Sequence, residues 1–492
     1  MLISGLALGA VLGFVMQRGR FCVTGFLRDI FTQRSWRGFV ALLIVISVHA
    51  IGLAALTSAG VITPEYKELA PLAVIIGGVI FGLGIVLAGG CASGTWYRSG
   101  EGLIGSWIAL VFYALSAAAM KTGFLNGLQD SLKDRTVGLT SIHASLGISI
   151  WPLVIALSAV TAYFAVRFLR EEFSGPRPAT LAPRKSGLAH ILTEKTWHVY
   201  ATAAIVGVLG VIAWPLSAAT GRNDGLGITT PSSNLANYVV TGDTERFDWG
   251  VLLVLGILVG SFIAAKASGE FRLRVPDATQ GARSVVGGIF MGVGAAWAGG
   301  CTVGNGMVQT SLFSYQGWLA LASIAAGVAI AAKLWLKPSA PSLNDVPSTP
   351  STTNDTAVSA ISPVTSTATS PVSLPGSEGA AGTEASPLAG AFAVAPVALL
   401  DRSVVKQEDG KLKPLGDGRY ELDTVGAVCP FPLIEAKDAI NKIEVGEELV
   451  IPFDCTQATD AIPRWAAKDG HEVTNFEQTG EAGWTISVRR GK

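Results

Sequence analysis

The chain has 492 residues, of which half are hydrophobic, 15% are charged and 58 are glycine, with a formal net charge of zero. A soluble chain carries about a quarter charged residues, so a mean hydropathy of +0.47 excludes a wholly soluble protein and points to a polytopic membrane protein, where glycine is frequent. Neutral charge argues against a nucleic-acid partner, and five widely spaced cysteines are too few for a disulfide scaffold or a zinc module. No metal and no cofactor are expected.

From Met1 to about Lys337 the chain reads as nine candidate spans, at 2–17, 38–60, 70–89, 103–123, 147–168, 197–214, 248–268, 284–300 and 316–336. A helix needs about 20 apolar residues to cross the hydrocarbon core. The first, third and eighth spans are short or broken by glycine, and backbone leaves the helix at membrane depth only where protein or a water-filled cavity satisfies it. Those three are expected to line a path. The first span is not read as a signal peptide, because its positive charge (Arg18, Arg20, Arg28) follows the apolar run. With the N-terminus outside, the basic clusters at Arg28/Arg34/Arg37, Arg167–Lys185, Lys266–Arg283 and Lys333/Lys337 all fall on the cytoplasmic side.

Residues 338–402 are rich in Ser, Thr, Pro, Ala and Gly and lack Lys and Arg until Arg402. Such a segment buries too little apolar surface to order itself, and about 65 flexible residues span on the order of 45 Å. A tether is expected. Residues 403–492 hold 11 Lys/Arg against 16 Asp/Glu, a net charge of −5. Their periodicity predicts a small α/β domain of order βαβαββ, a two-layer sandwich, with strands at Tyr420–Asp423 and Glu448–Phe453 and helices at Pro432–Lys442 and Thr459–Lys468.

The membrane region contains a duplicated stretch. Gly77–Cys91 (GGVIFGLGIVLAGGC) and Gly287–Cys301 (GGIFMGVGAAWAGGC) agree at eight of fifteen positions with an offset of 210, and Gly94 matches Gly304. On the nine-span topology the two copies run in opposite directions. Inverted repeats of this kind place substrate where discontinuous helices meet. Gly89-Gly90 and Gly299-Gly300 would break each helix and leave Cys91 and Cys301 where the backbone opens. A third cysteine, Cys22, follows the first span in Gln17-Arg18-Gly19-Arg20-Phe21-Cys22; its second-half counterpart near Gly269-Glu270-Phe271 has none. Arg18 and Arg20 are candidates to attract an anion, and snorkelling to the interface is the plainer alternative.

The QRGRFC stretch, the paired AGGC motifs and the span pattern resemble the YeeE/YedE family over residues 1–337. The resemblance implies an inner-membrane permease for thiosulfate with Cys22, Cys91 and Cys301 along its pathway. The chemistry suits a small dianion with a soft terminal sulfur, since several weak thiol contacts hold an ion without trapping it. Cys429-Pro430-Phe431-Pro432, after a strand and opening a helix, resembles the TusA/SirA family of sulfur carriers over about 419–490. In that family the Cys-Pro-x-Pro cysteine takes a persulfide, and a helix N-terminus stabilises its thiolate.

Cys455 stands where the family often has an acidic residue and proline, and is expected to be a partly buried bystander; His471 is expected to be structural. Together the resemblances imply thiosulfate uptake assisted by a cytoplasmic carrier domain that contacts the inner face of the membrane domain. Cytoplasmic sulfurtransferases are candidate partners. A membrane-anchored sulfurtransferase or thiol-redox enzyme, or a transporter of another sulfur- or selenium-containing anion, fits the same residues.

Overall fold

The computed structural model describes residues 1–336 and 412–491. The tether expected over 338–402 lies outside the described residues. The first region is all helix: α1 (Ile3–Arg18), α2 (Val23–Thr32), α3 (Arg37–Ser58), α4 (Pro71–Leu87), α5 (Ala92–Gly100), α6 (Ile104–Lys121), α7 (Asn126–Lys133) and α8 (Ile142–Ser145). It continues with α9 (Trp151–Ser174), the single turn α10 (Gly187–Ala189), α11 (Val199–Ala218), α12 (Thr229–Thr241), α13 (Trp249–Ser268), α14 (Ala278–Ala298) and α15 (Tyr315–Trp335).

Among the described residues, eight helical runs are long and apolar enough to cross a membrane. Two of them are composite. Ile3–Thr32 joins α1 to α2 across a break at 19–22, and Pro71–Gly100 joins α4 to α5 across a break at 88–91. The eighth expected span, α14, has 21 residues but does not reach the same hydropathy, because Arg283, Gln280 and five glycines dilute its apolar residues. It ends at Gly299, and the chain resumes over Gly304–Gln309 in a wider turn in which Val308 N–H donates to Val303 O at 3.0 Å.

The repeated stretches pack on each other through glycine. A Cβ on Gly77 would lie 2.7 Å from Gly294 O, and one on Gly294 would lie 2.7 Å from Gly77 O. Likewise a Cβ on Gly84 would lie 2.8 Å from Gly287 O, and one on Gly287 would lie 2.9 Å from Gly84 O. Any side chain at these positions would force the backbones apart, and small residues are what allow helices in lipid to approach this closely. The pairing is antiparallel, since the earlier glycine of one helix meets the later glycine of the other. Gly9, Gly13, Gly256 and Gly260 make a second close crossing between α1 and α13.

The second described region is a five-stranded sheet with two helices. Its elements are β1 (Leu412–Gly416), β2 (Arg419–Leu422), α16 (Phe431–Ile440), β3 (Glu448–Phe453), α17 (Ala458–Asp469), β4 (Glu472–Gly480) and β5 (Gly483–Arg489). The strand order is β1-β2-β3-β5-β4, with β2 parallel to β3 and the other neighbours antiparallel. Alternate β3 residues Leu449, Ile451 and Phe453 meet Leu433, Ala436 and Ile440 of α16 and Ile462 and Trp465 of α17 in one core. The element order is therefore ββαβαββ, one strand more than βαβαββ. β1 was not visible in the sequence because it is an edge strand with almost wholly exposed residues, a lysine and a proline, and so lacks alternation.

Candidate functional site

Each of the three membrane cysteines stands where a helix restarts. Cys22 precedes the first turn of α2 in extended backbone, and Phe26 N–H donates to its carbonyl at 3.0 Å. Cys91 caps α5: Gly94 N–H donates to its Sγ at 3.3 Å, and Ser93 Oγ lies 3.5 Å from the same sulfur. Cys301 follows Gly299-Gly300, and Asn305 N–H donates to its carbonyl at 2.8 Å. All three thiols are buried and free. The sulfurs of Cys22 and Cys91 both lie beside Gly94. A Cβ on Gly94 would sit 3.3 Å from Cys91 Sγ and 3.5 Å from Cys22 Sγ, so glycine there leaves the two sulfurs their space.

The two AGGC breaks lie at opposite ends of the antiparallel α4/α14 pair, each about five residues, or about 7.5 Å of helix, beyond the nearer glycine contact. Tyr113 of α6 is fully buried, and its hydroxyl donates to Thr229 Oγ1 of α12 at 2.8 Å. The hydroxyls of Thr24 and Thr302, each next to or within two residues of a cysteine in sequence, are buried without a hydrogen-bond partner among the described residues.

Helix ends leave carbonyls unpaired, and the two breaks satisfy them differently. Gly89 and Gly299 both take a left-handed backbone, φ +72° and +76°, which glycine adopts without strain. At the first break Arg98 of α5 donates a guanidinium hydrogen bond to Gly89 O. At the second, Asn305 Nδ2 donates to Ala298 O at 2.8 Å and Gly300 O at 3.0 Å, while Gln316 Nε2 donates to Asn305 Oδ1 at 3.0 Å. One break therefore carries a fixed positive charge beside Cys22 and Cys91, and the other only neutral amides.

Arg18 and Arg20 converge on Glu270. Arg20 holds that carboxylate with both terminal nitrogens, at 2.7 and 3.1 Å, and Arg18 Nη1 approaches it at 3.3 Å, with Gln17 Nε2 at 2.6 Å. Burial opposes ionisation of Glu270, but Arg20 and Arg18 outweigh it and hold the carboxyl below its usual range. The two arginines that the sequence offers for anion attraction are thus engaged with an acid at the position corresponding to Arg20 in the second half.

In the C-terminal domain Cys429 lies in the loop before α16, joined to Pro430 by a cis peptide, with Pro432 in the first helical turn. It is disulfide-bonded to Cys455, with Cα atoms 6.0 Å apart. Cys455 is therefore not a bystander: the ends of the parallel strands β2 and β3 bring its loop beside that of Cys429. Thr424 N–H donates to Pro452 O and Gly426 N–H to Asp454 Oδ1, both at 3.0 Å, fixing one loop on the other. His471 packs its ring on Trp465 at 5.3 Å and accepts from Gly491 N–H at 3.1 Å, so its contacts are structural.

The loop of Cys429 rests on the first AGGC break. A Cβ on Gly89 would lie 3.1 Å from Val428, and Arg28 Nη1 donates to Cys429 O at 3.4 Å. Around it, Arg464 pairs with Glu172 at 2.7 Å, Arg274 donates to Asp454 O, and Ala482 N–H donates to Gly269 O at 3.0 Å. A cavity of about 470 Å³ is lined by Cys22 on one side and by Cys429 and Cys455 on the other, with Arg28, Arg37 and Lys437 around it.

Sequence reasoning passed over Arg98, Tyr113 and the hydroxyl-bearing face of α12. Arg98 had a signal, an arginine continuing an apolar span, which membrane helices rarely keep without function. α12 had none: Thr229, Ser232 and Ser233 are buried in a stretch with the composition of a loop.

Comparison with known proteins identifies both halves of the chain. The family profile described as "Sulphur transport" matches residues 18–330, and the one described as "Sulfurtransferase TusA" matches 420–490. The thiosulfate transporter TsuA of Escherichia coli (strain K12) is 52% identical over 328 residues, covering 67% of this chain and 93% of the relative. The thiosulfate transporter TsuA of Spirochaeta thermophila is 32% identical over 337 residues, covering 65% and 94%. TsuB of Escherichia coli, a candidate sulfur carrier, is 59% identical over 70 residues, covering 14% of this chain and 93% of the relative. The chain therefore belongs to the sulphur-transport family, as a multi-pass membrane protein of the thiosulfate-transporter type fused to a TusA-type sulfur-carrier domain.

Proposed function

We propose that the membrane domain takes up thiosulfate across the inner membrane of a bacterium through a path marked by Cys301, then Cys91 and Cys22, and delivers it to Cys429 on the cytoplasmic side. The N-terminus is outside, nine spans cross the bilayer with α14 among them, and the domains run 1–337, 338–402 and 403–492. The reciprocal glycine contacts between α4 and α14 support an inverted repeat, because each pair joins a position of one copy to the later position of the other. The observation that carries the reading is the common cavity of Cys22 and Cys429: the inner end of the cysteine series opens where the carrier cysteine lies.

The chemistry follows from the residues. Helix N-termini at the breaks and the fixed charge of Arg98 favour an anion, while thiols and free hydroxyls offer weak donors along the path. Weak contacts of this kind hold and release an ion without a covalent step. At Cys429 a thiolate attacks the outer sulfur of thiosulfate, the S–S bond breaks, and sulfite leaves with its electron pair, giving a persulfide.

Uptake of radiolabelled thiosulfate by cells unable to import sulfate tests the path. Cys91→Ala and Cys301→Ala are each expected to lower the initial rate at least tenfold; undiminished uptake in both would sink the assignment. A chain lacking 403–492 is expected to retain slow uptake with no persulfide chemistry.

A further inference from the structure

Among all described cysteines, one pair is bonded, and it includes the residue that would carry sulfur. Cys429 is half-buried and Cys455 is 4% exposed, and both line the cavity shared with Cys22. Their Cα separation of 6.0 Å is close to the commonest value for disulfides, about 5.5–6 Å. The two loops are held in this relation by backbone: Thr424 Oγ1 donates to Pro452 O at 2.9 Å, and Gly426 N–H to Asp454 Oδ1 at 3.0 Å. A thiol held this near its partner acts at an effective concentration that no free thiol reaches.

We propose that Cys455 is the resolving thiol of Cys429, converting carried sulfane sulfur into hydrosulfide. The step rests on the reading above that Cys429 takes a persulfide. Cys455 Sγ attacks the inner sulfur, Sγ of Cys429, and the Cys429–Cys455 bond forms. The bond from Cys429 Sγ to the outer sulfur breaks, and that sulfur leaves with the electron pair as hydrosulfide, taking the thiol proton of Cys455. The outer sulfur is reduced by two electrons and the two cysteine sulfurs are oxidised to the disulfide. A cytosolic dithiol then restores both thiols by exchange, becoming a disulfide itself. The positions suit the step, because both cysteines border the same cavity, into which the leaving hydrosulfide can pass.

The test uses the full chain, purified in detergent and fully reduced. It is loaded with inorganic polysulfide, or in parallel with thiosulfate; excess donor is removed and no thiol is added. Wild type is expected to yield cross-linked peptides joining Cys429 to Cys455, with hydrosulfide released. Cys455→Ser and Cys455→Ala are expected to retain one added sulfur on Cys429 and to release hydrosulfide at least tenfold more slowly. That retained persulfide also shows that the variant domain is folded and reactive. A wild-type chain that keeps its Cys429 persulfide beside a free Cys455, or a Cys455→Ser chain that releases hydrosulfide at the wild-type rate, would overturn the proposal. Loading and resolution with polysulfide but not with thiosulfate would support the role of Cys455 and remove thiosulfate as the donor at Cys429.

Discussion

At the scale of single residues, the membrane site contrasts groups already satisfied with groups left free. Arg98 both caps Gly89 O and carries charge beside Cys22 and Cys91. Arg98→Gln is expected to lower initial thiosulfate uptake at least tenfold, with Arg98→Lys recovering part of it. Thr302 and Thr24 make no hydrogen bond that substitution could break. Thr302→Val should therefore weaken the apparent affinity for the ion several-fold while leaving thermal stability unchanged or slightly raised, because deleting an unpaired buried hydroxyl removes a desolvation cost. Uptake against concentration and a melting curve in detergent separate the two effects. The cysteines themselves were legible in the sequence because glycine marks their breaks. The Cys429–Cys455 bond was not, because 26 residues of sequence carry no sign that β2 and β3 end side by side.

Among the elements, α14 shows how much depends on which side of a helix a glycine occupies. Gly294 meets the backbone of α4, whereas nothing lies within 4 Å of a Cβ on Gly281. Gly294→Val is expected to destabilise the fold by roughly 1–3 kcal/mol or more through overpacking and to abolish monodisperse protein in detergent. Gly281→Ala should be neutral or stabilising by up to about 1 kcal/mol. Size-exclusion profiles and melting temperatures of the two variants check this. The sequence marks α4 and α14 as repeats, since identical glycines recur at a fixed offset. It does not reveal that the repeats touch one another, because apolar periodicity is nearly all-round in a buried membrane helix. β1 and α12 were missed for the opposite reason, as neither has an apolar pattern at all.

On the scale of the whole molecule, the carrier domain is held by polar contacts around the shared cavity. Surface ion pairs of this type contribute about 0–1 kcal/mol each, so the seat is one that single changes can loosen. Arg464→Glu opposes Glu172 and also loses Asp460; it is expected to slow uptake several-fold without altering persulfide formation on Cys429. Intramolecular cross-linking yield between the two domains, followed alongside uptake, reads out the loosening. Two separate units were legible from composition alone, whereas the seat was not, since none of its residues has a motif.

The crossing of α4 and α14 has a mechanical consequence. Two helices in contact backbone to backbone have no side-chain layer to shear, and packed interiors switch between discrete arrangements instead of deforming smoothly. The pair behaves as a fixed axle through the centre of the protein. The two breaks sit at its ends: α5 with Arg98 at one, the 304–309 turn with Asn305 at the other. These ends differ in charge, so on the proposed path an anion is expected to be held more strongly beside Arg98 than beside Asn305.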